Sequence, residues 1–368
     1  MLTTSYPRFD GDVGGSFVEG FARALAERGH SVEVIAPEPR EPTGAQRLPP
    51  TWVRYLPRPL ERTFHGAGVP DNLRRHPSAW LGAVTGPLAL AKEARRRVGE
   101  WDAIVSHFGV PCGAIGEWVA DGRPHLCVWH SADVALAARL PSRALGWTTR
   151  DGLSHWTVTA RAAARLGLPD PIVSPMGAWA SPVVDRDEAR RELGVDGFVV
   201  GALARLVPIK GLDRAIDACA GTDMTLLVGG DGPERAQLEK RAHERSVRAR
   251  FLGAVSGEGK AKLLAAADVF VFPSRALGRR EEGAPVALTE ARLAGRPVVA
   301  SRSGGLLERV DDGVDGLFAD GVSELRGALE RLRNDPELAT RLADQGRERD
   351  RALLWSTLIE RAEAALGA

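Results

Sequence analysis

Cysteine is scarce: Cys112, Cys127 and Cys219 are the only three in 368 residues, and they form no C-x-x-C pair. That usage fits a reducing, cytoplasmic setting and argues against a structural zinc site. No apolar run reaches the roughly 18 residues that a membrane-spanning helix needs. The opening MLTTSYPRFD lacks a charged segment followed by an apolar core, so it is not a signal peptide. Neither sign of charge dominates, with 49 basic against 48 acidic side chains and a formal charge of +1. Nothing in this balance suggests a global nucleic-acid binder. Lysine is also scarce, at five of the 49 basic residues, which makes a lysine inside a motif worth noticing.

The length predicts two domains of ordinary size, each with its own core. The most informative stretch is EEGAPVALTEARLAGRPVVASRSGGLLE, residues 281–308. Glu282 falls in a loop of Glu, Gly, Ala and Pro, and Pro285 suits the first turn of a helix that carries Glu290. A strand over 297–301 follows, and Gly304–Gly305 opens the next loop. Loop, helix, strand and Gly-rich loop are how an α/β domain builds a crevice at the carboxyl ends of its strands. A carboxylate accepts from two hydroxyls at once, so two on one edge could grip the ribose and the hexose of a sugar nucleotide. Taken alone, the pair is more simply a solvated loop charge and a helix-surface glutamate.

The surrounding residues decide otherwise. EGAPVALTEARLAGRPVVAS resembles the E-x7-E segment of the retaining glycosyltransferases of family 4, the group 1 glycosyltransferases. ARLVPIKG at 204–211 resembles that family's G-R-L-x-x-x-K-G, with Ala204 where glycine is common, and GGDGP at 229–233 its G-x-G-P loop. FLGAVSGEGKAKLLAAADVFVFPS follows the family run from F-L-G to P-S, and VDDGVDGLFAD its D-G-x-N-G-x-L, with Asp315 in place of asparagine.

The first half begins with Met1–Ser5 as the end of a strand, a loop to Gly15, a helix over 16–28 and a strand over 31–36. Five residues are short for a central strand, which points to a start upstream of Met1. Gly14–Gly15 at the helix N-terminus lets the backbone approach an anion, although a tight turn explains the pair equally well. In the family this loop faces the donor diphosphate. Residues 38–77 show no period and read as irregular structure near the acceptor side. Residues 80–98 are apolar, then basic. A membrane-surface helix is one reading, giving peripheral contact at the inner face. An ordinary crossover helix broken at Pro87, with solvated arginines, is the other and the favoured one. WHSADV at 129–134 resembles the family's H-G-x-D-x, which makes His130 the active-site histidine and Asp133 a neighbour on the acceptor side. His107 reads as a satisfied strand-end histidine. His125 and His130 are on opposite strand faces, poor geometry for a shared metal.

The second half alternates helices and strands from residue 186 to residue 273, and three helices close the chain. The expected division is 1–180, 181–350, and a helix in 351–368 returning to the first domain. The resemblance implies a GT-B fold, two Rossmann-like doubly wound α/β domains facing each other across a cleft. It implies transfer of a hexose from a nucleoside diphosphate sugar to a hydroxyl, lipid-linked or on a saccharide, with retention. Arg205 and Lys210 would meet the diphosphate, Glu290 the ribose, and Glu282 with Gly283, Ala284 and Pro285 the hexose. No cofactor and no metal are expected, and the tight D-x-D at Asp185–Asp187 reads as a helix N-cap. A sugar-nucleotide epimerase of the same fold and a silent sugar-nucleotide-binding subunit are the alternatives.

Overall fold

The computed structural model of the protein describes residues 1–41, 43–65, 68–278 and 281–367. The chain divides into two compact units, Met1–Met176 with Trp355–Ala368, and Gly177–Leu354.

The first unit is built on parallel strands β1 (Ile35–Pro37), β2 (Thr51–Val53), β3 (Ile104–His107), β4 (His125–Trp129), β5 (Leu153–Thr157) and β6 (Ile172–Val173). They run in the orders β1–β2 and β3–β4–β5–β6. Leu2 joins the two groups by bridging Ile35 on one side and Ser106 on the other. The expected strand over residues 1–5 is thus reduced to one bridging residue, flanked by Thr3 N–H to the Ile35 carbonyl at 3.1 Å and His107 N–H to the Leu2 carbonyl at 2.8 Å. The chain leaves the sheet centre here, with β1 to one side and β3 to the other. That reversal is the switch point of a doubly wound sheet, and loops at the carboxyl ends of its strands form its crevice.

Helix Ser16–Glu27 follows and buries Val18, Phe21, Ala22 and Leu25, one face at a spacing of three and four. Gly20 lies on the same helix, and a Cβ there would stand 2.7 Å from the indole nitrogen of Trp355. The missing side chain is what admits helix Trp355–Leu366, which also buries Leu358, Ile359 and Ala362 and ties Glu363 to Arg28 at 2.8 Å.

Two sequence expectations need correction. Residues 38–77 are not wholly irregular: they contain β2, a 3-10 turn Arg58–Leu60 and helix Val69–Arg75. Pro42, Gly66 and Ala67 of that stretch lie outside the described residues. Helix Ser78–Arg97 runs unbroken through Pro87. A mid-helix proline usually kinks or breaks a helix. Here packing holds both sides: a Cβ on Gly82 would fall 2.1 Å from Thr63 Oγ1, and one on Gly86 2.4 Å from Phe64 Cε2.

The second unit carries β7 (Val199–Leu203), β8 (Thr225–Gly229), β9 (Arg248–Phe251), β10 (Val269–Phe272), β11 (Val298–Ala300) and β12 (Leu317–Phe318). All are parallel, in the order β12–β11–β10–β7–β8–β9. Strands buried on both faces read as continuous apolar runs, VVGAL and VFVF among them. Winding starts at β7, goes out to β9, then returns to β10, so this sheet reverses between β7 and β10. Asp185 caps helix Arg186–Leu193 by accepting the Glu188 N–H at 2.8 Å, as its D-x-D setting predicts. β12 and helix Leu306–Arg309 were not anticipated.

Candidate active site

In the second unit the loops after β7 and β10, the two strands at the reversal, meet. Gly211, at φ 63°, ends the turn Pro208–Lys210, and its Cβ would lie 2.1 Å from the Pro273 carbonyl oxygen. Glycine there lets the first loop press against the second and brings Lys210 onto Glu282. Lys210 Nζ donates to Glu282 Oε2 at 2.6 Å, and Ser274 Oγ donates to the same oxygen at 3.0 Å. Burial alone would raise the Glu282 carboxyl. The Lys210 charge, with hydrogen bonds from Lys210, Ser274 and the Gly283 N–H, holds it below the ordinary glutamate value. It is therefore a carboxylate at neutral pH.

The loop after β11 supports that carboxylate from behind. Gly305 N–H donates to the Glu282 carbonyl at 2.9 Å. Gly304 sits at φ 53°, where a Cβ would be 2.2 Å from that same oxygen. The GGDGP loop does the corresponding work for residues 204–206. A Cβ on Gly230 would fall 1.8 Å from the Ala204 oxygen and one on Gly232 2.4 Å from the Leu206 oxygen. Leu206 N–H reaches the Asp231 carbonyl at 2.9 Å. Arg205, exposed, is carried by this clamped loop.

Glu290 lies in helix Val286–Leu293, with Pro285 at its N-cap, and its carboxylate forms an ion pair with Lys260 of helix Gly257–Ala266. Sequence reading passed over Lys260 and Ser274. Lysine scarcity was the available signal, since two of the five lysines pair with the two glutamates of the motif.

Behind Glu290 the helix is anchored by buried charge. Arg292 is fully buried, donating to Asp315 Oδ1 at 2.6 Å and to Asp350 Oδ1 at 3.4 Å. Arg309 donates to Asp350 Oδ2 at 2.5 Å, and burial pushes its guanidinium down to about 10. The departure from asparagine at 315 thus has a partner in Arg292, whose charge an asparagine would leave less fully compensated.

In the first unit, His130 directly follows β4 as the N-cap of helix Ser131–Ala137, and Nε2 of its ring lies 3.2 Å from His107 Nδ1, the two rings stacked at 5.5 Å. Phe17 and Phe108 close over His130 at 4.8 and 4.7 Å. Phe17 belongs to the first turn after Gly14–Gly15, so that loop and His130 share one end of the sheet. His107 is not the satisfied histidine expected from its position. Its Nε2 is buried and has no hydrogen-bond partner among the described residues. Burial pushes the His130 imidazole down to about 3 and His107 well below its usual value, so both are neutral.

Asp133 also differs from expectation. Its carboxyl is buried and accepts the His130 N–H at 2.8 Å and the Gly109 N–H at 2.7 Å. It positions the histidine backbone and does not present itself to an acceptor. Burial raises it to about 7 against the pull of backbone N–H donors from Gly109, His130, Asp133 and Val134. At the glycine pair, Gly15 adopts φ 78° with a Cβ position 2.7 Å from the Ser5 carbonyl, so the turn requires glycine whatever it binds. Gly14 N–H is taken by Asp12 Oδ1 at 3.1 Å, and no side chain caps the helix. Among the described residues no three His, Cys, Asp or Glu are grouped to hold a metal ion.

The neutral histidines carry a pH signature. Unfolded, each takes up a proton below its ordinary value of 6.5; folded, His130 refuses it down to about 3. Their contribution is full above pH 6.5 and is lost as the pH falls. Asp133 runs the other way, contributing at acid pH and losing that as the pH rises towards about 7. Chemical unfolding of His130→Gln between pH 4 and 6 is expected to show a pH slope shallower by up to about 1.4 kcal/mol per unit. An unchanged slope would mean that the imidazole is charged when folded.

Comparison with known proteins gives the family and the fold. The model of the group 1 glycosyl transferases matches residues 185–349, and that of glycosyltransferase family 4 matches residues 14–168. The D-inositol 3-phosphate glycosyltransferase of Actinosynnema mirum is 31% identical, over 97% of this chain and 93% of its own. This chain belongs to the group 1 glycosyltransferases. The glycosyltransferase is also 29% identical to the GDP-mannose-dependent alpha-(1-6)-phosphatidylinositol monomannoside mannosyltransferase of Mycobacterium tuberculosis, covering 95% of this chain and 92% of that one. Among solved structures, Anabaena Alr3699/HepE, crystallised with UDP and glucose, superposes with a TM-score of 0.72 at 22% identity, covering 99% of this chain and 98% of that one. Sucrose-phosphate synthase from Thermosynechococcus elongatus gives 0.73 at 21%, over 99% and 97%. Both superpositions concern the fold, which is GT-B: two Rossmann-like α/β units with parallel sheets.

Proposed function

We propose that this glycosyltransferase moves a hexose from a nucleoside diphosphate sugar to a hydroxyl acceptor, with retention and without a metal. The observation that carries the reading is the Lys210–Glu282 pair at the sheet reversal, backed by Ser274 and the Gly304–Gly305 turn. As the glycosidic bond breaks, positive charge grows on the sugar and negative charge on the leaving diphosphate. Lys210 and Arg205 are fixed cations for the diphosphate, and one preorganised donor of this kind is worth roughly 3 kcal/mol. The Glu282 carboxylate and the Gly283–Ala284 backbone suit the hexose hydroxyls, and Glu290 the two ribose hydroxyls. In the first unit, Gly14–Gly15 and the neutral His130 are the residues that the family resemblance assigns to the donor. The acceptor hydroxyl gains the bond to the anomeric carbon, and its proton leaves with the diphosphate.

The names of the relatives support this choice of donor: one is GDP-mannose-dependent, and a structural neighbour was crystallised with UDP and glucose. Their acceptors, an inositol phosphate and a phosphatidylinositol mannoside, make a polyol or lipid-linked hydroxyl the first to try, in glycolipid or polysaccharide synthesis on the cytoplasmic side. The test is release of nucleoside diphosphate from a donor panel, with and without chelator. No release from any donor despite thermal stabilisation would identify a silent binder. Isomerised sugar nucleotide without release would identify an epimerase.

Glu290→Ala is expected to weaken binding of the donor and of the free nucleoside diphosphate alike, by about ten- to a hundredfold, the worth of hydrogen bonds to a charged group. Calorimetry with the nucleotide alone checks this, and unchanged affinity removes Glu290 from the ribose.

A further inference from the structure

Helix Ser78–Arg97 faces the wrong way for a soluble crossover helix. Its packed side holds small residues, Ala79, Gly82, Gly86 and Ala94 with Leu90, while its large apolar side chains point outward. Trp80 is 63% exposed, Leu81 51%, Val84 62% and Leu88 66%. At 100° per residue these four fall on one face, and Lys92 and Arg95 continue the same face at its C-terminal end, with Arg96 on its edge. All three cations are exposed. Glu93, the acid of this segment, is held by Arg97 at 2.6 Å and pairs with Arg96 at 3.6 Å, so Lys92 and Arg95 are the cations of this face that it leaves to other partners. Beyond the helix, the exposed Trp118 lies under the Arg95 guanidinium at 5.7 Å, adding an aromatic where the basic end begins.

Chemistry selects the occupant. Single exposed apolar residues are ordinary, but a continuous stripe marks a surface made to be covered. The Trp80 indole N–H is already satisfied by the Leu73 carbonyl at 3.0 Å, so covering the ring in hydrocarbon strands no donor. Three exposed cations in line with the stripe match a sheet of anionic headgroups, where each lysine or arginine adds to attraction. No helix is long and apolar enough among the described residues to cross a bilayer, so contact would be from one side. We propose that this face docks the protein on an anionic lipid surface, with Trp80, Leu81, Val84 and Leu88 at the acyl boundary and Lys92, Arg95 and Arg96 among the phosphates. A solvated crossover helix, the reading the sequence favoured, is the outcome against which this proposal is tested. The proposal goes beyond the transferase reading and its test needs neither donor nor acceptor, so either can fail alone.

The full chain is mixed with vesicles of phosphatidylcholine, with or without phosphatidylglycerol, and bound protein is measured by flotation. Binding to the phosphatidylglycerol vesicles is expected to be about a hundredfold stronger than to phosphatidylcholine alone, the worth of three surface cations. The variant Trp80→Ser with Leu88→Glu is expected to lose binding to both. The variant Lys92→Gln, Arg95→Gln, Arg96→Gln is expected to keep only the weak binding to phosphatidylcholine. These side chains are exposed, so melting temperatures should stay at that of the parent, and matched melts make the comparison one of folded proteins. A parent that ignores vesicles, or a Trp80→Ser, Leu88→Glu variant that binds as the parent does, overturns the proposal. So does an apolar variant that leaves vesicle binding intact but turns a dimer into a monomer, which would make the face a contact between copies.

Discussion

Removing Lys210 and Glu282 singly and together is expected to separate catalysis from folding. Lys210→Ala takes away the cation that steadies the leaving diphosphate, and kcat is expected to fall by about a hundred- to a thousandfold with a smaller change in donor affinity. The same change leaves Glu282 buried against only Ser274 and a backbone N–H, so stability falls too. Glu282→Gln removes that unpaired charge. The double variant should therefore regain much of the lost stability while staying as inactive as Lys210→Ala. Steady-state kinetics and urea unfolding of the three variants give the answer. If activity returns with stability, the pair is a structural ion pair and the diphosphate is held elsewhere. The pH dependence has a definite sign. Because the Glu282 carboxyl is held below its ordinary value, its contribution is present above about pH 4.3 and is lost as the pH falls below that.

Asp350→Ala is expected to be the most damaging change to the second unit. Asp350 is buried and its two oxygens serve two guanidiniums, Arg309 and Arg292. Taking it away leaves those cations buried with Asp315 as the remaining acid of the cluster, and breaking a buried pair on one side costs about 3–5 kcal/mol. For a unit of this size that is roughly a 10 °C fall in Tm. Replacing Arg309 by methionine in the same chain should recover part of the loss, since it withdraws one orphaned charge. Calorimetry of the two proteins checks both statements. A loss under about 1 kcal/mol for Asp350→Ala would show that water reaches the cluster. Arg292 stands two residues after Glu290, so loosening this cluster should also weaken nucleotide binding.

The architecture was legible because its causes are local. Buried parallel strands leave apolar runs such as TLLVG and VFVF, and glycines mark where loops press on one another. Glu282, Glu290, Lys210 and His130 stood in long motifs. What escaped was set by the sheets. Lys260 meets Glu290 across 30 residues, and His107 meets His130 across 23, because β3 and β4 are neighbours. No spacing rule reaches that far. Asp133 looked free because its partners are backbone N–H groups, which a sequence does not display. Pro87 signalled a break because the two glycines that seat the helix on Thr63 and Phe64 are invisible to propensity.

The return of helix Trp355–Leu366 to the first unit sets an order on assembly. On the ribosome, Phe21 and Trp156 are made before the second unit and stand 6.1 Å apart in the finished core, yet Trp355, which packs on Phe21 at 5.7 Å, emerges only after that unit. The second unit is an insertion whose two ends, Gly177 and Leu354, are drawn together by the Ala178–Leu354 bridge, so it can close as soon as its own residues are out. The first unit is begun before the second and completed after it.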